Sequence, residues 1–274
     1  MHAEIMEQPK PIGLKITECP EELGFKSGTK SVHTSRTMML ADFAVLLERV
    51  PSLASAKDYS VAIIEHNELG KPTRSTRKMT AEVFARLYGL DPKLPTFQTF
   101  RKYWDLDDSG RPVLAFLLAA TRDPLLREAT GIVLARPIGD VVSSTEIAAQ
   151  LSELYPQRFQ ASTSIATAQR LASSWAQAGY LIGKARKRRS KPSVTPLVAC
   201  FAISLAYLCG FRGGMLLDNI WTKLLDCTPV ELHEKLLEAS KQGWLNYKSA
   251  GSVVEITFPN FGNVTRGRSG YESN

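Results

Sequence analysis

The stretch SSTEIAAQLSELYPQRFQASTSIATAQRLASSWAQAGYLIGKARKRRSK, residues 143–191, decides the fold of this chain. Ser143 and Glu146 stand just ahead of an apolar run, at the spacing of a capping box that starts a helix. Apolar residues then recur at helical spacing, which predicts an amphipathic helix over 145–155.

A second predicted helix, over 162–178, follows a turn and ends at Gly179. The apolar segment 180–183 is typical of a short strand and leads directly into the basic run 184–191. Helix, turn, helix, strand and basic loop is the order of a winged helix-turn-helix, which we assign to residues 137–193. In that fold the second helix enters the major groove of DNA and the wing touches the backbone.

The 274-residue chain has a formal net charge of +7, and this charge is unevenly distributed. Between Glu153 and Asp218 there is no acidic residue, whereas there are nine basic ones. The rest of the chain holds 25 basic and 27 acidic residues and is close to neutral. A segment of one sign attracts polyanions such as nucleic acid or an anionic membrane surface.

The second helix of the motif is expected to have a core face anchored by Trp175 and an acid-free outer face. The residues predicted for the outer face and its border are Thr163, Thr167, Arg170 and Ser174, with Gln169 beside them. Because Arg and Gln side chains hydrogen-bond to guanine and adenine edges, this face is predicted to read DNA bases.

The basic run is predicted to be the wing and to contact phosphates, which gives affinity without sequence information. Its cations are Lys184, Arg186, Lys187, Arg188, Arg189 and Lys191. A second, weaker basic site is predicted at the start of an earlier helix. Its members are Lys71, Arg74, Arg77 and Lys78. The free N–H groups of that helix start favour an anion.

The remaining segments divide by pattern. Residues 1–35 contain Pro and Gly without a sustained period and are expected to form a flexible N-terminal arm. Residues 36–136 show helical periodicity and predict a helical domain, with a break near Asp123 and Pro124. Residues 262–274 are expected to be a disordered tail.

Residues 194–261 are expected to hold a central apolar helix and a second small winged module. The uncharged segment 194–211 is shorter than the roughly 20 apolar residues that a membrane span needs, and Pro196 trims it further. A buried helix is therefore favoured, and a membrane span is the alternative. The second module has mixed charge, which suits a structural or dimerising role, and whether it binds DNA or protein stays open.

Catalytic and metal-binding patterns are missing from the sequence. The four His residues are far apart, and the four Cys residues (Cys19, Cys200, Cys209 and Cys227) show no C-x-x-C spacing. We therefore expect no enzyme activity, no metal and no cofactor. The scattered cysteines and the lack of a secretory signal favour a reducing, cytoplasmic setting without a disulfide framework.

Short segments of the chain also carry a family resemblance. They are Asn67-Glu68-Leu69-Gly70-Lys71, Ser75-Thr76-Arg77, Phe84-Ala85-Arg86-Leu87 and, closing the winged motif, Ala178-Gly179-Tyr180-Leu181. Over about residues 36–183 the chain resembles BrxA-type proteins, the small helical accessory proteins of BREX bacteriophage-exclusion systems. The resemblance implies binding of double-stranded DNA. The chain departs from that family in its length, its long basic wing and its second winged module.

These observations predict a mainly α protein that binds double-stranded DNA without catalysis, as an accessory component of a prokaryotic phage-defence system. Other defence proteins are expected as further partners, self-association is left open, and no membrane is expected. The alternatives are a winged-helix transcriptional regulator and a scaffold that binds a protein through the second module.

Overall fold

The computed structural model describes residues 19–251 and 253–259, so predictions about residues 1–18 and 260–274 lie outside the described part. Within this part the chain is mainly helical, as predicted. Two short 3-10 turns at Glu21–Leu23 and Val32–Thr34 come first. They are followed by α1 (Leu40–Arg49), α2 (Ala56–Ile64), α3 (Arg74–Tyr88), α4 (Pro95–Trp104), α5 (Arg111–Arg122), α6 (Pro124–Glu128) and α7 (Thr130–Val133).

The helix break predicted near Pro124 is confirmed, because α5 ends at Arg122 and α6 begins at Pro124. The Asp123 side chain caps α6 by accepting a hydrogen bond from the Leu126 amide at 3.1 Å. Proline is tolerated in the first helical turn, where its missing N–H is not needed. The sequence therefore ends one helix and starts the next within two residues.

The second half follows the predicted order of elements. It contains β1 (Val141–Val142), α8 (Ser144–Leu154), α9 (Ala161–Gln177), β2 (Leu181–Ile182), β3 (Lys187–Arg189), α10 (Pro196–Leu208), a 3-10 turn (Gly213–Leu216), α11 (Ile220–Lys223), α12 (Pro229–Lys241), β4 (Asn246–Ala250) and β5 (Val253–Thr257). The capping boxes at Ser143 with Glu146 and at Thr228 with Glu231 are both formed.

The wing is part of a three-stranded antiparallel sheet in the order β1-β3-β2. Val141 lies opposite Arg188, and Leu181 lies opposite Arg189. Strand β1 was not predicted, because two residues are too few to show a period. The downstream hairpin pairs β4 with β5, and Ala250, the last residue of β4, lies opposite Val253.

Helix α10 lies at the centre of the molecule and contacts α4, α5, α11 and α12. Its apolar residues are buried on all sides, as expected for a core helix that is hydrophobic all round. Its 13 residues span about 20 Å, short of the roughly 30 Å of a bilayer core. None of the helices in the described part is long and apolar enough to cross a membrane.

The expectation of a flexible arm is wrong for residues 19–35. Phe25, Val32 and His33 are buried, and the Phe25 ring centroid lies 5.6 Å from that of Trp221. Arginine side chains of the body hold the segment: Arg122 donates to the Gly24 carbonyl at 2.6 Å, and Arg127 donates to the Lys26 carbonyl at 3.1 Å. This stretch shows no period because it packs as irregular chain against helices.

A disulfide joins Cys19 to Cys209, across 190 residues of sequence, and Cys200 and Cys227 are free thiols. The sequence analysis expected no disulfide framework, so this link is a correction to it. The bond ties the start of the described chain to the end of α10. Burial raises the pKa of the Cys200 thiol to about 12 and that of Cys227 to about 11, which makes both poor nucleophiles at neutral pH.

Candidate nucleic-acid interface

The wing loop presents cations to solvent. Lys184, Arg186 and Arg188 are exposed and form no ion pair within the described residues. The Arg188 guanidinium donates to the Gly139 carbonyl at 2.8 Å, and the Lys187 ammonium donates to the Lys184 carbonyl at 2.9 Å. These four side chains put a concentrated positive charge on one short hairpin.

The turn of the wing depends on Gly183. Its φ is +101°, and a Cβ there would lie 2.5 Å from the Arg186 carbonyl oxygen. Only glycine meets both conditions without displacing the backbone. The glycine therefore lets the loop turn tightly enough to bring the basic residues together.

Two of the predicted wing cations, Arg189 and Lys191, form ion pairs with acidic residues of the protein; Arg189 is buried and Lys191 is exposed. Arg189 is 1% exposed and donates to the Asp226 carboxylate, and its guanidinium also donates to the Tyr180 carbonyl at 3.2 Å. Lys191 donates to Glu231 on α12. That hydrogen bond, with others at Thr228, lowers the pKa of Glu231 to about 2. The prediction of an exposed cation is wrong for Arg189, whereas Lys191 is exposed but paired with Glu231.

The predicted outer face of α9 is also wrong in part. Thr167 and Ser174 are fully buried, and Arg170 is half-buried. The N-terminal segment covers two of them: Arg170 donates to the Thr34 carbonyl at 2.9 Å, and the Ser174 hydroxyl accepts from the Met38 amide at 2.9 Å. An irregular segment has backbone groups that need partners, and these two polar side chains of α9 supply them.

The exposed face of α9 is turned by about one residue from the predicted one. Ser162, Thr163 and Gln169 are exposed, with Ala166 and Ser173 half-buried between them. Thr163 and Gln169 are therefore the predicted reading residues that reach solvent. The face holds hydroxyl and amide groups, small side chains and no charge, which allows a close approach to base edges.

A buried polar chain fastens the N-terminal segment to α9. The His33 ring lies 3.0 Å from the Asp123 carboxylate through Nδ1 and 2.8 Å from the Ser174 hydroxyl through Nε2. Burial alone raises the pKa of Asp123, but the His33 ring and hydrogen bonds from Ser31 and Val32 outweigh it and lower the pKa. The order of groups matches a nucleophilic triad, yet all three side chains are sealed from solvent, so the arrangement is a structural fastening.

The second predicted basic site is largely neutralised. Lys71 pairs with Asp42 at 2.7 Å, Arg74 pairs with Glu65 at 2.7 Å, and Arg77 donates to the Ile64 carbonyl at 2.9 Å. Lys78 alone of the four is exposed without an ion pair among the described residues. The helix cap at Thr73 is formed, but the predicted anion site does not keep a cluster of free cations.

No group of three or more His, Cys, Asp or Glu residues within 19–251 and 253–259 is arranged to hold a metal ion. Asp107 is an example of an acidic residue whose oxygens already accept hydrogen bonds within the protein. It accepts from the Gly110 amide at 2.9 Å and from the Thr195 hydroxyl, so its oxygens hold a turn together.

Comparison with known proteins shows a likeness in fold. No protein-family model and no curated protein sequence matches the chain. The solved structure described as magnesium ion-bound SspB is similar over 86% of this chain and 85% of that one, with a TM-score of 0.54 and 10% sequence identity. At that identity the likeness supports the fold alone.

Proposed function

We propose that this protein binds double-stranded DNA without catalysing a reaction, gripping phosphates with its wing and turning the exposed face of α9 toward the bases. The observation that carries the proposal is the wing loop, where Lys184, Arg186 and Arg188 are exposed and unpaired within the described residues. The neighbouring helix carries no acidic residue to repel a polyanion.

The role of accessory component in phage defence rests on the resemblance to BrxA-type proteins. An accessory protein of that kind needs to bind many duplexes with little preference. The composition of the site fits such a role. The wing offers four basic side chains to phosphates, whereas only two of the residues predicted to read bases, Thr163 and Gln169, reach solvent.

The test is titration of a short fluorescent duplex at several salt concentrations. With about four phosphates neutralised, the slope of log affinity against log salt is expected near −3 to −4. The triple variant Lys184→Ala, Arg186→Ala and Arg188→Ala is expected to weaken binding roughly 100-fold or more at about 0.1 M salt and to flatten the slope.

A matched control removes the same charge from the second winged module, through Lys223→Ala, Lys241→Ala and Lys248→Ala. All three lysines are exposed. The control is expected to bind like the wild type. Wild-type protein that fails to bind duplexes at low salt, or that binds independently of salt, would overturn the proposed function.

A transcriptional regulator is the second candidate, favoured by the exposed Gln169 on α9. Glutamine reads adenine through a bidentate hydrogen bond, which gives sequence preference. Selection from a random pool of duplexes separates the two roles. A regulator enriches one site sharply, whereas a defence accessory leaves the pool nearly unchanged.

A further inference from the structure

The N-terminal segment adds a second acid-free stretch to the acid-free α9. Residues 23–41 contain no Asp or Glu, and they carry Lys26, Lys30 and Arg36. Only Lys26 is neutralised in the described chain, by Glu21 at 2.8 Å. The 3-10 turn Val32–Thr34 in this stretch contacts both α9 and α3. The fold therefore joins two stretches that are far apart in sequence into one surface without acidic residues of their own.

Hydrogen bonds place the cations of this surface. Arg158, in the turn between α8 and α9, donates to the Thr29 carbonyl next to Lys30. Arg170 of α9 donates to Thr34 at 2.9 Å. Arg36 donates to the Met79 sulfur at 3.2 Å, which places its guanidinium against α3, the helix that carries Lys78. The N-terminal segment thus extends from the helix-turn-helix to α3, and a basic side chain lies at or next to each of these three contacts.

We define the arm strip as Lys30, Arg36, Lys78 and Arg170. Lys30 and Lys78 are exposed, Arg36 and Arg170 are half-buried, and none of the four has an ion pair within the described residues. Cations without ion pairs on one surface create a positive potential, so a polyanion that spans them is favoured.

The strip flanks the exposed face of α9. Arg170 follows Gln169 and is about 100° round the helix from it, so the half-buried Arg170 lies at the border between the exposed and the covered side of α9. The wing begins four residues beyond the end of α9, whereas the strip follows the side of the helix. A duplex on the exposed face therefore meets the wing at the helix end and the strip along its flank.

We propose that the arm strip is a second phosphate-binding line on the same duplex, so that the DNA footprint extends from the wing past α9 to α3. The inference rests on the proposed function. It assigns DNA contacts to Lys30 and Arg36, in a segment that would otherwise serve only to cover α9. Arg158 is a positioning residue, because it acts on Lys30 through the Thr29 carbonyl.

The experiment compares three triple variants on one long duplex across a range of salt. The strip variant is Lys30→Ala, Arg36→Ala and Lys78→Ala, and Arg170 is kept because it holds the segment in place. The matched control is Lys57→Ala, Lys93→Ala and Lys102→Ala, which removes three exposed lysines elsewhere. The third is the wing variant described above.

The strip variant is expected to lose roughly 100-fold in affinity at about 0.1 M salt and about two to three units of salt slope, and the control to lose neither. The charge-conserving variant Lys30→Arg, Arg36→Lys and Lys78→Arg is expected to restore binding. Thermal unfolding of each variant shows whether a loss of affinity comes from misfolding. If the alanine variant does not fold, the DNA affinity of the charge-conserving variant tests the arm strip.

Shortening the duplex adds a second readout. On a duplex that covers only the wing and α9, the strip variant and the wild type are expected to bind alike. A strip variant that matches the control on the long duplex, while the wing variant loses binding, overturns the arm strip and leaves the proposed function intact. If none of the variants loses binding, both the arm strip and the proposed function are overturned.

Discussion

The two winged units of this chain share local structure and differ in charge. The first unit comprises α8, α9 and the β2–β3 wing, and the second comprises α11, α12 and the β4–β5 hairpin. The longer helix of the second unit carries Glu231, Glu234 and Glu238, and its hairpin pairs Lys248 with Glu255 at 3.9 Å. The first unit has no acidic residue in α9 or its wing. Caps, helix periodicity and a hairpin therefore determine the shape of such a unit, while its charge determines which partners it can bind.

The largest expected effect concerns the N-terminal segment, which covers one side of α9 and also packs on Trp221 of α11. The Cys19–Cys209 disulfide fastens the start of this segment. Because the bond closes a loop of 190 residues, replacing both cysteines with serine is expected to lower the free energy of unfolding by about 3–5 kcal/mol. Urea unfolding measures the loss.

Hydrogen exchange then locates the loss. Faster exchange in residues 20–38 than in α12 is expected, because the disulfide is attached directly to the segment and not to α12. Cys227→Ser, at a free thiol, is the control and is expected to change little. An equal increase of exchange in the segment and in α12 would show that the disulfide does not fasten the segment in particular.

The next effect lies at the junction of the two units, where Arg189 of the first meets Asp226 of the second. Asp226→Asn keeps the size of the side chain and its tolerance of the positive φ of 55°, and removes the charge. A buried guanidinium without its counter-charge is costly, so a loss of about 2–3 kcal/mol is expected in urea unfolding.

Asp218→Asn is the matched control, because Asp218 pairs with Lys223 while its side chain is 80% exposed. Exposed pairs contribute about 0–1 kcal/mol. If the two variants lose the same stability, Arg189 does not tie the units together and its place among the wing cations would have to be reconsidered.

The helices and the basic wing were predictable from the sequence because each leaves a local signal. Helical spacing located α8 and α9, and a capping box marked the start of α8. The break at Pro124 followed from the loss of its N–H. The family resemblance and the function that it implies stay predictions.

The orientation of side chains was the part that could not be predicted. Periodicity shows which side of α9 is apolar, but a polar side is not always exposed, and Ser174 is buried because Met38 and His33 need its hydroxyl. In β3, alternation turns Arg189 inward and Arg188 outward, whereas a count of charges treats both alike. The pairing of His33 with Asp123 joins residues 90 positions apart, and no local pattern reports it.

A smaller effect is expected from single changes on the exposed faces of α9 and α12. Gln169→Ala is expected to lower the affinity for a selected duplex by about 1–3 kcal/mol and to leave a scrambled duplex unaffected, because an amide reads base edges. Glu238→Ala on α12 is the matching change in the second unit and is expected to alter neither. Paired titrations on the two duplexes measure both variants. A protein that lacks sequence preference shows no change with either, which favours the defence accessory over the regulator.

The smallest effect separates Lys191 from the rest of the basic run. Lys191 hydrogen-bonds Glu231 of the second unit, so Lys191→Ala is expected to leave DNA affinity unchanged where the wing variant loses it. The pKa of Glu231 is lowered to about 2 by that hydrogen bond and by those at Thr228. The stabilisation is therefore present above the ordinary carboxyl range and is lost as pH falls toward 2. Since the pair is exposed, Glu231→Gln is expected to shift stability only slightly at pH 7 and to make it less steeply dependent on pH in the acid range. A clear loss of DNA affinity in Lys191→Ala would return this cation to the interface and weaken the division of roles between the two units.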